Sequence, residues 1–161
     1  MFLPELLARS LTTTQPSTSA QRLRLVSCRL ERGPVAVSRV SVEFEGPAEA
    51  QRIVCRQEGS ACPGGDLRLA ALATLHAITQ ATGGALTFEL IGVKPERAFD
   101  TTVMMVAVFA QHDGEVTRIV GAAIVDDDQL IATARAALHA ANRLASPLFE
   151  QLSSVVISSP D

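Results

Sequence analysis

Tryptophan and tyrosine are absent from this 161-residue chain. Without them it lacks the usual aromatic platforms on which single-stranded nucleic acid stacks. A net charge of −3 also denies it the basic surface that a phosphate backbone requires, so general nucleic-acid binding is not expected. Lysine occurs once, as Lys94, which we read as coding bias. Cysteine is scarce: Cys28, Cys55 and Cys62 are an odd number, and the spacing of the last two fits no zinc pattern. Free core thiols in a reducing compartment are the expectation. No apolar run approaches a membrane span. The opening MFLPELLARSL gathers Phe2, Leu3, Leu6, Leu7 and Leu11 on roughly one helical face, without the basic start or cleavage site of a signal peptide. These absences together point to the cytoplasm and to no bound cofactor or metal.

What is present is apolar: 47% of the residues, enough for one domain with a core of Val, Leu, Ile, Ala and Phe. Charge is uneven, with more arginine than acid before residue 83 and twice as many acids as bases after it. That asymmetry suits head-to-tail contact as readily as an anionic ligand. Residues 12–21, TTTQPSTSAQ, have nothing to bury and read as a flexible linker. Strands are expected at 22–31, with Leu23, Leu25 and Ser27 on one face, at 35–46, with Val40, Val42 and Phe44 facing one way and Ser41, Glu43 and Glu45 the other, and at 50–59. Gly33 and Pro34 mark the first turn. A helix follows from Leu67 to about Thr82, capped by Asp66 and ended by Gly83 and Gly84.

The same order then recurs. Strands are expected at 85–96, 101–114 and 115–125, with Asp113-Gly114 as a hairpin turn. A helix from Gln129 to about Ala145 puts Leu130, Ile131, Ala134, Leu138 and Ala141 on its inner face, and Pro147 closes the unit. The two helices even share wording, ALATLHAITQ against ARAALHAANR. The expected fold is therefore α+β: two β-β-β-α repeats, 22–84 and 85–146, related by pseudo-two-fold symmetry. Residues 1–21 form an arm and 147–161 a tail. One such unit alone leaves an exposed sheet edge and a bare helix flank, which a second copy covers.

Candidate chemistry is sparse. His76 and His139 occupy equivalent helix positions beside core leucines, and without further ligands they read as structural. His112 sits beside a turn and needs no role. Asp126, Asp127 and Asp128 suit capping of a helix start better than cation binding, since the alternating acids of a calcium loop are missing. GSACPGGDL, at 59–67, is a glycine-rich turn into a helix that presents N–H groups to an anion but carries no P-loop or dinucleotide fingerprint. Arg52, Arg56 and Arg68 lie nearby in sequence, and arginine forks suit carboxylate or phosphate. No nucleophile set assembles from local motifs, so an enzyme is not expected.

The two helix starts resemble those of the C-terminal regulatory, dimerising domain of 2-isopropylmalate and citramalate synthases. That family's first helix follows a Gly-x-Gly-Pro-Val-Asp-Ala turn. Here EGSACPGGDLRLAALATL runs similarly through Gly59, Pro63 and Asp66, with Gly64-Gly65 where Pro-Val would stand. The second helix, in VGAAIVDDDQLIATARAALHAANR, offers Gly121, Asp128, Ala141 and Asn142 at the matching places. The resemblance spans about residues 22–145. It implies the duplicated fold, a tendency to form homodimers, and a small-effector site near the helix starts, without the synthase activity. The functional expectation is a non-catalytic, allosteric sensing module. It would bind an amino acid, oxo acid or nucleotide such as a cyclic dinucleotide through Arg52, Arg56, Gly64, Gly65, Asp66 and Arg68, with Gly121 and Asp128 as counterparts. The alternative is an adaptor that docks protein partners through its termini, by Phe2, Leu6 and Leu7 and by Val155, Val156 and Ile157.

Overall fold

A computed structural model describes residues 22–47 and 50–157, with side chains as far as residue 152. The elements run β1 (Arg24–Gly33), β2 (Val37–Glu45), β3 (Arg52–Ser60), α1 (Gly65–Ala81), β4 (Thr87–Ala98), β5 (Thr101–His112), β6 (Glu115–Ile124) and α2 (Gln129–Ile157). The fold is α+β, β-β-β-α written twice. Each half has its own antiparallel three-stranded sheet, ordered β1-β2-β3 and β4-β5-β6. The arm and linker expected at 1–21 lie outside the described residues.

Period-two patterning sets the sheet faces. Val40, Val42 and Phe44 are fully buried on the helix-facing side of β2, as their alternation requires. In β5 the same side is Met104, Val106, Val108 and Ala110. Against these faces lie the two helices, whose many buried alanines (Ala70, Ala73 and Ala77 in α1; Ala134, Ala137 and Ala141 in α2) permit close approach. Each helix covers its own sheet, packs on the other helix, and also reaches the first strand of the other half, α1 on β4 and α2 on β1. That crosswise cover is what duplication supplies. Two buried helix hydroxyls are satisfied within their own helices: Thr74 Oγ1 donates to the Ala70 carbonyl at 2.8 Å, and Thr133 Oγ1 to that of Gln129 at 2.7 Å.

Four local expectations need correction. The strand 1 alternation breaks at a bulge between Leu25 and Ser27, so Ser27 turns outward opposite Glu43 while Cys28 faces inward opposite Val42. The first hairpin turns at Pro34–Ala36, with Val35 and Ala36 at positive φ, so β2 starts two residues later than expected. Cys62 is exposed at the turn into α1, whereas Cys28 and Cys55 are buried. Pro147 does not end the second helix. It lies inside α2, which continues to Ile157, taking in part of the expected tail. Proline removes one helical N–H, but Leu148 and Phe149 directly after it are buried in the core and hold the continuation in place. The glycine stops behave as expected: Gly83 and Gly84 end α1 at positive φ, and Asp113-Gly114 turns β5 into β6 with both residues at positive φ.

Candidate functional site

At the start of α1, Gly64 is the cap residue in the left-handed region (φ 75°), and no side chain caps the helix. Asp66 is therefore not the cap that its position suggests. The left-handed glycine lets the backbone close the turn, with Arg68 N–H donating to Gly64 C=O at 3.2 Å. Asp66 sits within the first turn, where its Oδ2 accepts from Arg32 Nη2 at 2.8 Å. Arg32 Nη1 also donates to Ser38 Oγ at 3.0 Å. The cation beside this helix start is thus already engaged by the helix's own carboxylate, and an anion would have to displace it. Gly65 leaves room for Cys62, whose Sγ lies 2.6 Å from where a Cβ would be built. Arg32 and Ser38 were not singled out from sequence. Their pairing across the β1–β2 hairpin, on the helix-facing side, is the signal that places them here.

At the start of α2, Asp128 is a cap: its Oδ1 accepts from Leu130 N–H at 2.7 Å. Asp126 and Asp127 are exposed, and Arg135 Nη1 approaches Asp126 at 3.7 Å. A concavity of about 160 Å³ lies among these residues, floored by Ile124, Ile131 and Ala132. Nearby, burial first and the Asp128 charge second push the Cys28 thiol up to about 12, so it stays protonated at physiological pH. Among the described residues, no group of three His, Cys, Asp or Glu side chains is placed to hold a metal ion.

The remaining expected ligand residues are not brought together. Arg52 opens β3 and pairs with Glu43 at 3.0 Å. It lies at the far end of that strand from Ser60 and the α1 start, about 27 Å away at ~3.4 Å per residue. Arg56 falls on the strand face turned away from the helices, and Arg68 is exposed on α1. Gly121 is a packing residue: a Cβ there would lie 2.0 Å from Ala136 O and 2.5 Å from Ala140 N of α2. The two histidines each reach back to the third strand of their own half. His76 Nδ1 lies 3.3 Å from Gln57 Nε2, and His139 Nδ1 lies 3.1–3.2 Å from the Ala122 backbone. A concavity of about 260 Å³ beside His76, between Leu75 and Phe88, is shallow and holds no charged group.

The outer sheet faces, which sequence reasoning did not single out, differ sharply. That of the first sheet is mostly polar and cross-paired around the exposed Val54: Arg39 with Glu58 and Glu31, Arg52 with Glu43, Arg24 with Glu45. That of the second sheet is apolar. Met105 and Phe109 on β5 are exposed, flanked on β6 by Val116, Val120 and Ile124 at 62%, 50% and 56% exposure. A signal for this exists in β5. Residues 103–110, VMMVAVFA, are apolar on both faces, the pattern of a strand covered on two sides, yet helices cover only one. Charged groups sit around this patch. Lys94 is paired with Glu96 on β4, whereas Glu89 and Arg118 are exposed with no ion-pair partner among the described residues.

No family model matches the chain, and no curated protein shows significant similarity to it. Among the described residues, no helix is long and apolar enough to cross a membrane.

Proposed function

We propose that this chain is a non-catalytic, regulatory-type docking module whose working surface is the outer face of the second sheet. The contrast between the two outer faces carries the reading. One three-stranded sheet solvates its outer face with ion pairs, while its duplicate leaves Met105, Phe109, Val116, Val120 and Ile124 bare. Contiguous apolar surface of this kind marks a place where another macromolecule sits. The adaptor expectation is thereby kept in kind but moved from the termini to a sheet face. The small-effector expectation finds no assembled set of its named residues, since Arg32 neutralises Asp66 and Arg52 and Arg56 point elsewhere.

Thiol accessibility in the cells that make the protein tests this whatever the partner is. Val120→Cys and Val54→Cys place thiols on the second and first outer faces, both half-exposed in the isolated chain. A membrane-permeant maleimide is expected to label position 54 and the native, exposed Cys62 readily and position 120 slowly. Cys28 and Cys55 stay unlabelled, because burial keeps both thiols protonated and covered. Equal labelling at 54 and 120 would remove the reading.

A further inference from the structure

Resting on that docking reading, we infer that the occupant of the face is a second copy of this chain, related by a two-fold axis that lies in the interface and runs along β5. The register supplies the argument. Phe109 pairs across β4–β5 with Glu89 and across β5–β6 with Arg118, so the three form one row across the face, acid–aromatic–base. A two-fold along the central strand lays β4 of one protomer over β6 of the other. Each Glu89 then meets the partner's Arg118, and Phe109 meets the partner's Phe109. The row is complementary to its own inverted copy, as an isologous interface requires. The next row on the face, Gly92–Ala107–Val120, is small and apolar and admits close approach at the centre.

Charge supports this arrangement over the other two-fold. An axis across the strands would set Glu89 over the partner's Lys94, but Lys94 is already engaged by Glu96 on its own strand. The axis along β5 pairs the two charges on this face that have no ion-pair partner among the described residues. Size is adequate. With strands ~4.8 Å apart and ~3.4 Å per residue, a three-stranded face about ten residues long covers about 490 Å². Two such faces bury about 1,000 Å², where specific interfaces begin. Aligned sheets cross at about 30°, an offset that Glu and Arg side chains span at one row from the centre.

Charge reversal in the full-length chain, followed by sedimentation and by circular dichroism as a folding check, tests the proposal. Glu89→Arg sets base against base at both symmetry-related contacts, and Arg118→Glu sets acid against acid. Each alone is expected to weaken self-association at least about tenfold. An equimolar mixture of the two variants pairs opposite charges at both contacts and is expected to recover wild-type affinity within about threefold, as mixed dimers containing one of each. Wild-type dimers that the mixture fails to restore would overturn this geometry. They would point to the other axis, or to residues 1–21 on the face. A monomeric wild type would overturn the second copy as occupant. With position 120 still shielded in cells the docking reading survives that result, and with it labelled both fall.

Discussion

Gly121 sits where β6 passes beneath α2, and the contact is backbone against backbone. Gly121→Ala would put a Cβ 2.0 Å from Ala136 O, which neither a rotamer change nor a flexible side chain can relieve. The expected cost is about 1–3 kcal/mol or more, the range for overpacking a closed contact. Gly33→Ala on the first sheet, with only ordinary contacts to Val37 at 3.6 Å and beyond and an unexceptional φ, is expected to stay within about 0.5 kcal/mol. Urea unfolding of the two variants checks the pair, and equal midpoints would refute the packing role. The residue scale also shows what single side chains do not reveal in sequence. Asp128 reads as a cap and is one; Asp66 reads as a cap and instead holds Arg32. The difference lies in Gly64, whose left-handed conformation closes the turn by backbone alone. Arg52 and Arg56 are close to the glycine turn in sequence, but a strand carries them away from it at ~3.4 Å per residue.

At the scale of elements, α2 shows why its end was illegible. Pro147 is a local stop signal, because it lacks an N–H, but helix continuation is decided by the burial of the residues beyond it. Leu148 and Phe149 are buried, and this fixes the last turns against the core. Phe149→Ala is expected to destabilise the fold by about 3–5 kcal/mol, as for a large core aromatic. A loss under about 1 kcal/mol in denaturant unfolding would show that the helix past Pro147 is not part of the core. The strands were legible in proportion to their alternation. In β2, Val40, Val42 and Phe44 against Ser41, Glu43 and Glu45 specified a face and kept it. In β1 one extra residue at the bulge reversed the pattern midway, and nothing in a period-two reading announces such an insertion. In β5 the pattern was not ambiguous but double: apolar on both faces, of which the described helices cover one.

At the scale of the whole molecule, duplication solves packing and then departs from symmetry where it matters. The two halves share element order, an Ala-rich helix and a histidine that touches the third strand, although their hairpin connections differ in length. Each lends its helix to the other's first strand. Their outer faces differ, one carrying ion pairs and the other exposed apolar side chains. The central claim is that the apolar face joins two copies of the chain. Sedimentation equilibrium of the full-length protein tests it most directly. The wild type and Val54→Asp, on the polar outer face, are expected to return twice the 17.0 kDa chain mass, and Val120→Asp is expected to return 17.0 kDa. A wild type that sediments at 17.0 kDa, or a Val120→Asp protein that remains dimeric, would contradict the account.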